Sequence, residues 1–106
     1  MVEEREFNLL ADAMLAHIEA ALEASAADID FEIKPGGVIE IEFENGSKII
    51  VNRHTAAREI WVAARSGGYH FKPDGERWVA TRDGAPLMEV LSRCVSEQAG
   101  EPVSLS

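Results

Sequence analysis

Between residues 5 and 25 the apolar positions Phe7, Leu10, Ala11, Met14, Ile18, Ala21 and Leu22, with Ser25 closing the series, recur at spacings of three and four. That is the period of one buried helix face, and it predicts a first helix. From residue 28 the period drops to two: Ile29, Phe31 and Ile33 alternate with Asp28, Asp30 and Glu32, the pattern of a half-buried strand. Pro35-Gly36-Gly37 reverses the chain. Ile39, Ile41 and Phe43 then alternate with Glu40, Glu42 and Glu44, and Asn45-Gly46 marks a tight hairpin into a third strand over residues 48–52. A three-residue loop sets Phe43 opposite Ser47, turns Ile49 and Val51 inward and places Lys48 opposite Glu42. A two-residue loop inverts all of this, and the pattern leaves both registers open.

Three further strands are predicted over residues 58–64, 69–72 and 77–81, with Ser66-Gly67-Gly68 and Pro73-Asp74-Gly75 as the turns between them. Connections this short imply an antiparallel meander. Pro86 suits the first turn of a second helix whose stripe is Leu87, Val90, Leu91, Cys94 and Val95, and Gly100 suits its C-terminal cap. Val103 and Leu105 alternate in a tail that fits against the helices. The order α-β-β-β-β-β-β-α predicts an α+β fold, a two-layer α-β sandwich. In it two helices pack on one face of an antiparallel sheet of about six strands, and the other face stays open to water. With 106 residues and no repeat or linker, residues 1–106 are expected to form a single domain.

Composition narrows the function. The hydrophobic share of 46% and charged share of 27% call for neither disorder nor a membrane span, and no apolar run nears the ~18 residues that crossing a bilayer requires. The amino end is acidic where a targeting peptide is basic, so the expected location is the cytoplasm. One cysteine, Cys94, excludes an internal disulfide and a zinc site of several thiolates. Nineteen acidic against ten basic residues give a net charge of −9, which repels nucleic acid and anionic membrane. The partners such a surface suits are cations: metal ions, or a basic protein face.

On a helical wheel at about 100° per residue, Asp12, Glu19 and Glu23 fall within an arc of roughly 40°, off the apolar stripe. Asp28, Asp30 and Glu32 continue outward on the first strand, and Glu40 and Glu42 on the second. Like charges facing one another across a ladder are destabilising unless a cation relieves them. Two readings follow: a solvated acidic surface that keeps the protein soluble, or a shallow site for hard cations, which carboxylate oxygens suit without a preformed cage. Neither a calcium-loop spacing nor an HExxH motif is present. If Ile60, Val62 and Ala64 point into the core, Trp61 lies on the solvent face, either as an interface anchor or covered by long neighbouring side chains. Trp78 is expected to be partly core. His17, His54 and His70 share no ligand spacing and read as surface or edge residues, although His70, next to Tyr69 on a strand, can face the open surface. Cys94, on the stripe of the second helix, reads as a buried thiol. No catalytic residues are expected: Ser66-Gly67-Gly68 lacks the strand-to-helix context of a phosphate loop, and the carboxylates lack the burial that raises a pKa for acid catalysis.

Residues 44–53, Glu-Asn-Gly-Ser-Lys-Ile-Ile-Val-Asn-Arg, then Ile60-Trp61-Val62-Ala63 and Gly67-Gly68-Tyr69-His70-Phe71, resemble the central strands of bacterial frataxins. Leu10-Ala11-Asp12 and Gln98-Ala99-Gly100-Glu101 fit the same family, so the resemblance spans nearly the whole chain. It implies the frataxin sandwich, a non-enzymatic regulatory role in iron-sulfur cluster assembly, and weak surface binding of iron (Fe2+ or Fe3+) at an acidic ridge. By that resemblance the ridge comprises Asp12, Glu19, Glu23, Asp28, Asp30 and Glu32. The partners it implies are a cysteine desulfurase of the IscS type and its scaffold protein, met by Glu19, Glu23, Asn52 and Trp61, with the chain a monomer or forming iron-induced oligomers. The alternatives are an iron chaperone or storage protein that oxidises iron in oligomers, and an acidic interaction module without a metal role. The chain departs from the family where Ala24-Ser25-Ala26-Ala27 replaces a run of acids. It departs again at His54, Ala56 and Glu59, where the family favours Gln, Pro and Gln.

Overall fold

The computed structural model describes residues 3–25 and 29–106. Helix α1 runs Glu4–Ala24, followed by strands β1 (Ile29–Lys34), β2 (Val38–Phe43) and β3 (Lys48–His54). A single 3-10 turn, Thr55–Ala57, leads to β4 (Glu59–Ala64), β5 (Gly67–Asp74) and β6 (Arg77–Ala80), and helix α2 spans Leu87–Ala99. The strands form one antiparallel sheet in sequence order, β1 to β6. Both helices lie on one face of it, the predicted α+β sandwich.

Strand period and burial agree because that face is covered. Ile39, Ile41, Ile49, Val51, Ile60, Val62 and Phe71 are buried against Phe7, Ala11, Ile18 and Leu22 of α1 and against Leu87, Leu91, Cys94 and Val95 of α2. Each of the larger side chains contributes about 1.5–3 kcal/mol by leaving water. Trp78 belongs to this core, with its ring edge-on to Phe7 at 6.0 Å between centroids. The β2–β3 loop has three residues: the Phe43 N–H donates to the Ser47 carbonyl at 2.9 Å, and Lys48 pairs with Glu42. The tail closes on α2 as its alternation predicts. Ser96 Oγ bonds both the N–H and the carbonyl of Val103, and Ser92 Oγ does the same for Leu105.

Several boundaries differ from expectation. Gly67 and Gly68 are strand residues and the turn is Arg65-Ser66, because they pair with the small residues Ala64 and Ala63 and the ladder runs on. Pro73 and Asp74 also belong to β5, which leaves Gly75-Glu76 as the turn. Pairing with β4 ends at Phe71, so the N–H that Pro73 lacks costs no bond on that side. Strand β3 runs on to His54, and the chain then turns through Arg58 at φ 56°, whose N–H and guanidinium both bond the Thr55 carbonyl. Pro86 precedes α2 in an extended conformation rather than sitting inside it, while Gly100 caps it at φ 75°. Ile33, expected on the inward row of β1, is 50% exposed, since β1 is an edge strand and burial fades along it past Phe31.

Gln98 is the buried polar residue that ties these pieces together. Its Oε1 accepts from the Arg65 N–H at 2.9 Å, and its Nε2 donates to Ser47 Oγ and to the Lys48 carbonyl, both at 3.1 Å. Its own carbonyl accepts from Asn45 Nδ2. One side chain on α2 therefore fixes two hairpins. Replacing it with leucine, Gln98→Leu, strands buried backbone groups and is expected to lower stability by about 2 kcal/mol or more, measured by urea unfolding.

Candidate functional site

The structure separates the predicted acidic residues into three sets. Asp28 lies outside the described residues. Asp12, Glu40 and Glu42 have cationic partners. Arg53, two residues along β3 from the inward Val51, points to the helix side and binds Asp12, linking sheet to helix. The backbone makes room for it: the Arg53 N–H donates to the Gly37 carbonyl, and Gly37, at φ 78°, presses so close that a Cβ there meets the Arg53 side chain at 3.1 Å. Glu40 lies between Lys34 at 2.7 Å and Lys48 at 3.0 Å, and Lys48 also reaches Glu42 at 3.8 Å. The hydrogen bonds from those two lysines hold the Glu40 carboxyl below the usual carboxylate range, and the same contacts raise both lysines. These cations also relieve the like-charge pair Glu32 and Glu40, which face each other across the ladder.

Glu19, Glu23, Asp30 and Glu32 remain, none with a cationic partner within ion-pair distance among the described residues. Glu23 lies in the last turn of α1 and Glu19 one turn before it, with no basic residue in that turn. A helix C-terminus carries about half a negative charge, so these carboxylates add to the dipole where lysine or arginine normally offsets it. Asp30 and Glu32 stand exposed on the strand that follows. Among the described residues no three His, Cys, Asp or Glu side chains converge on a point that can hold a metal ion. A cation drawn here meets an open field, not a cage.

The uncovered face of the sheet carries a second group. Asn52 of β3 pairs directly with Trp61 of β4, and Trp61 directly with His70 of β5. His54 pairs with Glu59, one step diagonal from Trp61. Trp61 therefore lies on the open face as predicted, and neighbouring rings cover it: His54 stacks at 3.9 Å and His70 at 4.3 Å between centroids. Its Nε1–H donates to Glu59 Oε1 at 2.7 Å. Sequence spacing gave no sign that His54 and His70 share a site; the cross-strand register brings them together. The two-residue extension of β3 to His54, a strand end that hydrophobic periodicity does not mark, was the missing signal. His17 lies apart, at the rim of an apolar groove between α1, β6 and α2. Cys94 is buried as expected, with Ser66 Oγ 3.9 Å from its sulfur.

Comparison with known proteins places this geometry among relatives. The frataxin-like domain model matches residues 1–101. The iron-sulfur cluster assembly protein CyaY of Dechloromonas aromatica is 62% identical over 104 residues, which cover 98% of this chain and 99% of the relative. A frataxin from Psychromonas ingrahamii superposes with a TM-score of 0.89 at 30% identity, covering 99% of each chain. A trimeric frataxin from the yeast Saccharomyces cerevisiae, complexed with ferrous iron, superposes with a TM-score of 0.64 at 26% identity, covering 95% of this chain and 89% of its own.

The Glu40 contacts carry a pH signature. A carboxyl depressed in the folded state adds stability at pH values above its unfolded pKa, near 4.5, and loses it as pH falls through the folded value. Glu40→Gln is therefore expected to melt below the parent at pH 7, and the gap is expected to narrow as pH falls below 4.5, as followed by circular dichroism.

Proposed function

We propose, from the premise that this chain belongs to the frataxin-like domain family, that it serves iron-sulfur cluster assembly as an acidic adaptor and not as an enzyme. Its relatives are named for that assembly. The adaptor docks on a cysteine desulfurase of the IscS type beside the scaffold protein, and weakly held iron occupies part of the same surface. The observation that carries this reading is the set of carboxylates at the negative end of α1 and on β1 that have no ion-pair partner among the described residues, Glu19, Glu23, Asp30 and Glu32, of which Glu32 alone feels Lys34 nearby. A basic protein face and an iron ion are the two kinds of cation that relieve such a field. Asp12 is a lesser contributor to it, being held by Arg53. Asn52 and Trp61 share the open face and supply the contacts with polar and aromatic character.

Charge then steers association, and exposed charges are screened over about 8–10 Å near physiological salt. The double variant Glu19→Lys with Glu23→Lys is expected to bind the desulfurase about tenfold more weakly at low salt, with the difference shrinking as salt rises. Binding indifferent to both salt and charge reversal counts against docking through this ridge. Iron is tested separately by titration with NMR detection. Shifts are expected at Glu19, Glu23, Asp30 and Glu32 and not at Asp12, with Asp12 joining them in Arg53→Gln, where its cation is gone. Silence at all of these positions leaves a metal-free adaptor.

A yeast relative forms a trimer, so the assembly of this chain is tested as well. The chain is a monomer without iron, and any assembly appears only as iron is added, which sedimentation velocity reads directly.

A further inference from the structure

Both faces of the Trp61 indole are occupied by imidazoles whose planes lie 11° and 8° from its own. Long aliphatic or polar side chains cover an exposed ring equally well, so coverage alone does not account for two histidines. The two are unequal. His54 is the more sheltered, and its Nδ1 is buried with no hydrogen-bond partner. The His70 side chain is 47% exposed, and its Nδ1 lies 3.6 Å from Glu59 Oε1, the same oxygen that accepts the indole N–H. One carboxylate oxygen thus stands between the indole nitrogen and the more exposed imidazole.

We propose that His70, Trp61 and Glu59 form a proton-responsive clamp on the open face, with His54 as the ring stacked behind the indole. When His70 takes up a proton, its Nδ1–H becomes a charged donor to Glu59, and the imidazolium lies over the face of the indole, where the ring quadrupole attracts a cation. The bond to Glu59 and the stack on Trp61 then reinforce each other, fixing the orientation of the indole. Imidazole is the side chain whose charge ordinarily changes between about pH 5 and 8.

The surrounding charges leave the decision to this group. On the same side of the sheet stand Glu59 on β4, Lys72 and Asp74 on β5 and Arg77 on β6. Arg82, Asp83 and, from α2, Arg93 line, with His70, a hollow of about 300 Å3. A proton on His70 adds one positive charge to this patch. Two further arginines are directed elsewhere: Arg53 to Asp12 on the helix side, and Arg58 to Glu4 and the Thr55 carbonyl. The consequence for a partner rests on the docking reading above, since a cation added to this face opposes a basic partner. The clamp itself is a property of the free chain and is tested there.

The experiment follows the Trp61 indole N–H resonance of the isolated protein, assigned with Trp61→Phe, from pH 8 to pH 5. One step in chemical shift is expected, matched by the His70 ring protons. The step is expected to vanish in His70→Gln and to survive in His54→Gln. The clamp is overturned by a flat profile in the parent, by a step that persists in His70→Gln, or by one lost in His54→Gln. It is also overturned by an equal step at the indole of Trp78 in the core, which marks unfolding of the whole molecule.

Discussion

One-sided burial of the sheet is the constraint on which the rest depends. Two helices cover one face and water the other, so each strand must send alternate residues to opposite sides. Ile39, Ile41, Ile49, Val51, Ile60 and Val62 are all at most 2% exposed, which leaves the intervening positions no choice but the open face. A slip of one residue in any pair moves a whole row of isoleucines and valines into water. The functional residues are thereby positioned by the core: Asn52, Trp61 and His70 form a row because Val51, Ile60 and Phe71 are held beneath the helices.

The same constraint distributes charge. Residues on the helix side of the strands reach α1, as Arg53 does to bind Asp12, while those on the open side reach only along the sheet or into water. Lys34 and Lys48 therefore serve Glu40 and Glu42, and have no path to the end of α1. The carboxylates of Glu19 and Glu23 sit where the helix dipole already points its negative end, so that corner of the molecule keeps an unbalanced field. A surface that is acidic on average becomes acidic in one place.

Rigidity enters through buried polar contacts. Gln98 binds the β2–β3 loop and the β4–β5 turn to the end of α2, and the serines of α2 hold the tail through Val103 and Leu105. The Gln98 bonds join elements far apart in sequence, and they lie on the helix side, away from the three rings that stack across neighbouring strands. Glu59 anchors that stack by accepting the Trp61 N–H, and it occupies one of the positions where the chain departs from its family's pattern.

Local periodicity was enough for the element order, the apolar stripes of both helices, the inward row of β2 and, with Ile60 and Val62 turned to the core, the outward facing of Trp61, while the register of β3 stayed open until the three-residue loop fixed it. Those features follow from hydrophobic period, a local quantity that each segment carries without knowledge of its neighbours. Only the tertiary structure decided which charges cancel and which rings meet. Asp12 shares a helical arc with Glu19 and Glu23, yet Arg53, distant in sequence, removes it from their field. His54 and His70 have no common spacing, yet register sets them on either side of one indole. The glycines of β5 read as a turn because their backbone freedom is visible in sequence, whereas the small partners Ala63 and Ala64 that let the ladder continue lie on another strand. Pairing across strands depends on the summed burial of the whole sheet, and no single segment contains that sum.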